Sequence, residues 1–418
     1  MKNQAVNAAT RATLLIFYVL GLVHATFLSE LPALRDHFQF TPTQMGNLLI
    51  SAALGAMLAI PAAGPLVTRF GPTRIGTIGF TLWTVGLLGV LGALQASSVP
   101  LLVGCLLTAN TGASLLNAAI NTEGGYVEVK LRKPRMAWFH AAFSIGTVSG
   151  ALLAVGSLRN GFSIYTHITA VICFSALLAV WSFTHFLPAA TVAKLTGRGT
   201  VKETDQHREQ TSGNSTSTNQ VVKSSDAWKE KRTLLIGVLV FGIEITEGAA
   251  ADWLALAMVD GFSLPVWYGT ASLAIFLTAL TATRLLSPHL QSFYSVDKLL
   301  RALLIFGLVG VVFLAFSPVY WLALFGAAFW GVGVALGYPL SASVLAADPL
   351  RSASRLSVMS TISFSAAIAG PALIGYLAEY VGYQRALGAL VLPVFISVLL
   401  TGQLRPQNDH KLDNSAAE

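Results

Sequence analysis

The chain has 418 residues, of which 54% are hydrophobic and only 11% are charged, whereas a soluble globular protein carries about 25% charged residues. This composition excludes an ordinary soluble domain and predicts a protein with many membrane spans. The net charge of +7 indicates how those spans are oriented, and we infer no nucleic-acid surface from it.

Apolar runs of about 20 residues, long enough to cross a bilayer as a helix, occur twelve times in the chain. With the N-terminus in the cytoplasm, only three of the 26 basic residues (Arg35, Arg159 and Arg385) fall on the outer side. Because Lys and Arg concentrate in cytoplasmic loops, we predict an all-α, multi-pass integral membrane protein with both termini in the cytoplasm. A bacterial inner membrane is the favoured location. The runs lie at roughly 12–30, 44–68, 75–94, 98–121, 137–156, 163–186, 233–257, 265–287, 299–316, 319–345, 356–378 and 384–402.

A polar, Ser/Thr-rich segment divides these runs into two groups of six. Residues 188–232 contain too few bulky apolar side chains to fold alone, and we interpret them as a flexible cytoplasmic linker. The linker joins an N-terminal six-helix bundle at 1–187 to a C-terminal six-helix bundle with a polar tail at 233–418. A shift of 220 residues aligns the halves without gaps and places His24 on Glu244. Parallel repeats of this kind are a known transporter architecture.

The loop after the second run reads Gly64-Pro-Leu-Val-Thr-Arg-Phe-Gly71-Pro-Thr-Arg74. It resembles the G-x-L-a-D-r-x-G-r-[RK] signature of the major facilitator superfamily (MFS). Thr68 occupies the acidic position of that signature, and Pro72 occupies the first basic position after Gly71. Because of these two departures, the resemblance does not extend to the charge-relay role that the loop has in the family.

Four other stretches resemble one bacterial branch of the superfamily, near the fucose-permease-like sugar transporters. The resemblance implies a twelve-helix alternating-access carrier, which we expect to be a monomer in the lipid bilayer, and it names no substrate. That branch often has an acid where this chain has Asn117. The stretches are Ser29–Leu34, Asn117–Asn121, Phe139–Gly146 and Glu247–Trp253.

The fourth run places four polar side chains on one face of a helix, since their spacings are four, three and four residues. A face of this kind against lipid would leave donors and acceptors unpaired. It therefore either lines a water-filled cavity or bonds to a neighbouring helix. Cavity lining is favoured, because four polar residues exceed what one helix contact needs. The residues are Asn110, Ser114, Asn117 and Asn121.

Two histidines are further candidates. His140 shares a helical face with Ser144 and Thr147 in the fifth run, and it is either a site residue or a packed one. His24 lies near mid-membrane, about 18 Å from the cytoplasmic end of the first run. An imidazole there either exchanges protons or bonds to a neighbouring helix as a neutral side chain. Glu30, at the outer end of the same run, is interpreted as an interfacial or gating residue.

Three carboxylates interrupt the seventh run in the stretch EITEGAAADW. At about 100° per residue, Glu247 lies about 60° to one side of Glu244 and Asp252 about 80° to the other, with small residues between them. The stretch predicts one broad face with Glu244 near mid-membrane and Asp252 near the outer rim. Trp253 is either an interfacial anchor, which is favoured, or a stacking platform for a substrate ring.

Charged residues near the cytoplasmic ends of the runs are candidates for a gate. Arg284 in the eighth run either pairs with an acid at an inner gate or extends its charge to the membrane interface. Glu128 is either a charge in a cytoplasmic loop or a gate partner for Arg69 or Arg74.

Together these residues predict a secondary transporter of a small organic solute, such as a sugar or related polar metabolite, with its site near the bilayer midplane. Glu244 is the first candidate for a proton-coupling carboxylate, and His24 and Glu247 are the second. Burial favours the protonated form of a carboxyl group and water disfavours it, so proton binding would follow the transport cycle.

Two other functions remain open. Drug/proton antiporters of the superfamily carry a Gly-Pro turn in helix five, whereas this chain has Gly370-Pro371 in its eleventh run, which weakens a drug-efflux interpretation. The second function that remains open is a membrane sensor built on a carrier fold. An enzyme, a cofactor and a metal site are not expected, since no phosphate-binding loop and no acid–base–nucleophile set at motif spacing occur.

Overall fold

The computed structural model describes residues 2–133, 135–188, 227–348 and 351–405. In these residues, all regular secondary structure is helical. The helices are α1 (Lys2–Ser29), α2 (Leu31–Phe38), α3 (Pro42–Phe70), α4 (Pro72–Gln95), α5 (Val99–Leu131), α6 (Met136–Arg159), α7 (Ile164–Thr184), α8 (Lys231–Phe262), α9 (Val266–Phe293), α10 (Val296–Phe316), α11 (Tyr320–Val334), α12 (Gly337–Leu345), α13 (Ser352–Phe364), α14 (Ala366–Val381), α15 (Tyr383–Ala386) and α16 (Val391–Leu400).

Twelve segments of the described chain are long and apolar enough to cross a membrane, which confirms the predicted all-α fold with twelve spans. Some spans consist of two consecutive helices, such as α11 with α12 and α13 with α14. The cytoplasmic location of the termini remains a prediction. The predicted linker at 188–232 lies mostly outside the described residues.

The first span is interrupted at Glu30, where α1 ends and α2 begins. We call this interruption the bend. Pro32 has no N–H to continue the hydrogen bonds of α1, and its ring disfavours a regular helix at this point. The span nevertheless continues to Phe38, eight residues beyond the predicted end, because Leu31 and Leu34 of α2 are buried.

The fourth span is also longer than predicted, since α5 continues to Leu131. The apolar run at 98–121 predicts that the span ends near residue 121, before the charged Glu123. Glu123 is instead fully buried, and its Oε1 accepts a hydrogen bond from the backbone N–H of Leu187 at 2.7 Å. The acid therefore fastens the end of α7 to α5, and the helix does not stop at the first charge.

The described residues form two compact units. The N-terminal unit contains α1 to α7 together with Ala255–Val259 and Ser263–Leu277. The C-terminal unit contains α10 to α16 and the remaining parts of α8 and α9.

Glycines bring α1 and α6 into backbone contact inside the N-terminal unit. A Cβ on Gly146 would overlap the carbonyl oxygen of Tyr18, and one on Gly150 would overlap that of Leu22. From the other side, a Cβ on Gly21 would overlap the carbonyl of Phe143 in α6. The G-x-x-x-G spacing of α6 thus serves close helix packing, as such motifs commonly do in membranes.

Gly146→Leu is expected to destabilise the protein by about 3 kcal/mol or more, because the added side chain meets backbone atoms that cannot rotate away. The thermal unfolding midpoint of the purified protein in detergent measures this loss. Gly156→Leu, in the same helix, is the matched control, since a Cβ there meets no atom within 4 Å. Equal midpoints for the two variants would contradict the close contact.

Candidate functional site

The acidic stretch of α8 lies on the side of the helix that the protein leaves partly open. Glu244, Glu247 and Asp252 are partly exposed, and Gly248 between them is exposed. This pattern confirms the face predicted from the helical period. Residues on the opposite side of the helix are buried, namely Ile243, Ile245, Thr246, Ala249 and Ala250.

Arg284 of α9 forms an ion pair with the middle acid of this face. Its Nη2 donates to both oxygens of Glu247, at 2.9 and 3.2 Å. The two side chains are 31% and 26% exposed, so the pair is neither fully buried nor at an open surface. Of the two interpretations offered for Arg284, the structure shows the one in which it pairs with an acid.

The same arginine bonds to a break in the tenth span. Helix α11 ends at Val334 and α12 begins at Gly337. A continued helix would pair the Ala335 carbonyl with the N–H of residue 339, but Pro339 has none. The Nε of Arg284 supplies the missing donor, at 3.0 Å from Ala335 O. One guanidinium therefore joins the acidic face of α8 to an interrupted helix.

Glu244 lies one turn before Glu247 on the same face. In the described part of the chain it has no hydrogen-bond partner, whereas Glu247 is compensated by Arg284. Of the two acids at this level, only Glu247 forms an ion pair among the described residues.

The prediction that Trp253 is an interfacial anchor at the outer rim is wrong. Its side chain is fully buried, and its ring packs against Tyr383 with the centroids 5.6 Å apart. Helix α8 continues nine residues beyond Trp253, so the helix end that reaches the interface comes later in the chain. Asp252, the adjacent residue, remains on the partly exposed face.

The polar face of α5 is partly accessible, and the water-filled cavity that it was expected to line remains a prediction. Asn117 is exposed, and Asn110, Ser114 and Asn121 are partly exposed. In the described residues, the hydrogen bonds of these amides stay within α5. Asn110 Nδ2 donates to the Leu106 carbonyl at 3.0 Å, and Asn121 Nδ2 donates to Asn117 Oδ1 at 3.0 Å. The side-chain oxygens of Asn110 and Asn121 accept no hydrogen bond from the described residues.

The three polar residues predicted to share one face of the fifth span differ in exposure. His140 is exposed and contacts the ring of Phe17 edge-on. Ser144 is only 4% exposed, and Thr147 is buried while it donates to the Ser144 carbonyl at 2.7 Å. Ser144 is therefore not accessible as a site residue, because the glycines of α6 draw this part of the helix against α1. His24 is itself exposed, between buried neighbours.

Glu128 has a different role from the predicted gate. Its Oε1 accepts hydrogen bonds from the backbone N–H groups of Arg135 and Met136, where α6 begins. The carboxylate satisfies donors that every helix start leaves unpaired. Arg69 and Arg74 are exposed, and the Arg69 guanidinium lies 5.2 Å from the ring centre of Phe70.

A family model described as Major Facilitator Superfamily matches residues 13–347. The chain belongs to the major facilitator superfamily. The uncharacterised transporter y4wD of Sinorhizobium fredii is similar to this MFS protein, with 26% identity over 393 residues, which are 90% of this chain and 96% of that protein. The resemblance inferred from the motifs is therefore confirmed, and the chain is a multi-pass membrane transporter and not an enzyme.

Solved structures of MFS transporters share the fold of this chain over most of its length. The nucleoside transporter NupG superposes with a TM-score of 0.69 at 16% identity, over 96% of this chain and 98% of NupG. A variant of the E. coli fucose:proton symporter FucP superposes with a TM-score of 0.61 at 13% identity, over 95% and 98% of the two chains. At these identities the likeness establishes the fold alone.

Sequence reasoning missed an ionic cluster at the start of α8. Glu230 accepts hydrogen bonds from Arg355 Nε at 2.6 Å and from Arg351 Nη1 at 3.2 Å. The Arg355 hydrogen bond is the main cause that lowers the pKa of Glu230 from its ordinary value. The cluster fastens the start of α8 to the start of α13 in this MFS chain. Its signal was hidden because Glu230 falls within the segment interpreted as a linker.

Proposed function

We propose that this MFS protein is a secondary active transporter that moves a small hydroxylated solute by alternating access, coupled to protons. The observation that carries the proposal is the arrangement on α8. Glu244 is partly exposed and forms no ion pair in the described residues, one turn from a carboxylate that Arg284 holds against a broken helix. Broken helices with nearby charges are typical of substrate and coupling-ion sites in transporters.

Glu244 is the proposed proton carrier of the transport cycle. Glu247 is less suited to that role, because its carboxylate is already engaged in an ion pair with Arg284. His24 is the second candidate, since its ring is exposed between buried neighbours near the middle of the first span. A structural neighbour described as a fucose:proton symporter supports proton coupling as a capability of this fold.

A hydroxylated solute fits the side chains that are accessible. The amides of Asn110, Asn117 and Asn121 offer both donors and acceptors on one face of α5. Sites of this composition match the paired donor and acceptor of each hydroxyl group. Transporters described as carrying nucleosides and fucose share the fold, and both solutes are rich in hydroxyl groups. The proposed location is the inner membrane of a bacterium, where the protein acts as a monomer.

Efflux of drug-like compounds is the second transport hypothesis, and a non-transporting sensor is the third. Trp253 does not support a stacking platform for an aromatic drug, since it is buried against Tyr383. The carboxylates of α8 would attract cationic drugs, however, so the two transport hypotheses require a direct test.

The test begins with thermal-shift measurements of the purified protein against sugars, nucleosides and cationic drugs, since a ligand that binds the native state raises its stability. Each stabilising compound is then radiolabelled for counterflow into liposomes. Counterflow of a sugar or nucleoside is the expected result. Flux of cationic drugs alone would favour efflux, and binding without any flux would favour a sensor.

A further inference from the structure

A buried pair connects the bend of the first span to α7. Glu30 Oε1 and His167 Nδ1 lie 2.6 Å apart, and the two residues are only 1% and 6% exposed. Both belong to the N-terminal unit. Neither takes part in the acidic face of α8, so the transport site proposed above leaves this pair without a role.

One polar atom of each side chain in the pair has no hydrogen-bond partner among the described residues. These atoms, Glu30 Oε2 and His167 Nε2, are buried. A neutral imidazole that donates from Nδ1 to Glu30 has its lone pair on Nε2. A proton can therefore be added at Nε2 while the bond to Glu30 is retained.

The number of protons bound to the Glu30–His167 pair sets its net charge. With a proton on Nε2, the imidazolium of His167 and the carboxylate of Glu30 sum to zero. Without it, one negative charge stays buried beside a neutral ring. An enclosed charge without a counter-charge is strongly destabilising. Proton binding therefore strengthens the contact between the bend and α7, and proton release weakens it.

Two other charged side chains on the helices around the bend, Arg35 and Arg159, interact with partners other than Glu30 and His167. Arg35 donates to Asp36 at 2.8 Å, and Arg159 lies over the ring of Trp267 at 5.8 Å. In α4 the sole charged side chain is Arg74, at the opposite end of the helix. Along the chain, the ionisable groups near Glu30 are His24, Arg35, Asp36 and His37, and those near His167 are Arg159, Tyr165 and Cys173. Helix α9, whose Thr270 hydroxyl lies 3.4 Å from the Ser29 carbonyl, carries Tyr268.

We propose that Glu30 and His167 form a proton-binding site that fastens the bend of the first span to α7. The proton is held on Nε2 of His167 while Nδ1–H donates to Glu30, so that the two helices are joined by an ion pair. When the bend opens to water, the proton leaves from Nε2 and a single hydrogen bond to an uncompensated carboxylate remains.

Nitrogen-15 NMR of the full-length protein, labelled at histidine and purified in detergent, tests the proposal directly. His167 is identified as the signal that is lost in His167→Gln, or, if that variant does not fold, as the signal that changes in Glu30→Gln. If the pair binds a proton as proposed, spectra recorded between about pH 5 and about pH 8 should show both ring nitrogens protonated at the acidic end and only Nδ1 at the basic end. One unchanged protonation state across this range would overturn the proposal.

Thermal unfolding gives an independent readout. Raising the pH across the same range should lower the midpoint of the wild type by a few degrees more than that of Glu30→Gln, whose amide leaves no buried charge. Asp36→Asn, in the neighbouring helix, should keep the wild-type slope. Parallel curves for the wild type and Glu30→Gln would also overturn the proposal. Neither measurement requires transport, so the result stands apart from the function proposed for α8.

Discussion

Glu244→Gln is expected to abolish proton-driven accumulation of the solute and to leave solute exchange intact. A transporter coupled to one proton can concentrate its solute by about tenfold for each pH unit across the membrane, since one unit corresponds to about 1.4 kcal/mol. Glutamine keeps the shape and the polar contacts of Glu244 but cannot take up a proton. The accumulation ratio should therefore fall from about tenfold per pH unit to about one.

Liposomes loaded with unlabelled solute separate this loss from a general defect. Counterflow of labelled solute without a pH gradient needs binding and alternating access but no net proton movement, so Glu244→Gln should retain it. Glu244→Asp should recover part of the accumulation, because it restores a titratable group, and Asp36→Asn should match the wild type. Full accumulation by Glu244→Gln would assign the coupling proton to another group, such as His24.

The acidic face of α8 and the amide face of α5 could be predicted from the sequence because both are local properties of a helix. A regular helical period fixes which side chains share a face, whatever surrounds the helix. The buried residues opposite Glu244 and Glu247 bear this out. The twelve spans were predictable for a similar reason, because an apolar run of about 20 residues is long enough to cross a bilayer as a helix.

Contacts between distant segments were not predictable in this way. Glu30 and His167 are 137 residues apart in the chain, and nothing in either local sequence indicates the other. The spacing of Ser144 from His140 predicts a shared face but not its exposure, and the glycines of α6 decide its burial by bringing the backbone of α1 close. Trp253 was placed at an interface because tryptophan favours interfaces, whereas its surroundings in the fold, including Tyr383, bury it.

Arg284→Ala is expected to reduce both stability and transport. It leaves the Glu247 carboxylate without its counter-charge and the Ala335 carbonyl without its donor. Breaking a fully buried ion pair costs about 3–5 kcal/mol, and this pair is partly exposed, so we expect a loss of about 2 kcal/mol from the free energy of unfolding. The thermal midpoint in detergent and the counterflow rate in liposomes measure the two effects.

Arg284→Lys is the conservative comparison. Lysine retains the positive charge but presents one compact ammonium group in place of a planar fork, so we expect it to bond to Glu247 and Ala335 less well than the guanidinium does. We expect an intermediate loss of stability. In a double-mutant cycle, Arg284→Ala and Glu247→Ala should show a coupling of about 1 kcal/mol. Strict additivity would mean that the ion pair contributes nothing to the fold.

The bond from Arg284 to Ala335 can be tested separately from the ion pair, because Pro339 is the cause of the unpaired carbonyl. Pro339→Ala supplies a backbone N–H at the position that a continuous helix would use. In the Arg284→Ala background it should recover about 1 kcal/mol of stability, since the Ala335 carbonyl regains a donor. It should not restore transport, because a continuous tenth span no longer presents a break beside the acidic face of α8. Recovery of transport together with stability would show that the break has only a structural role.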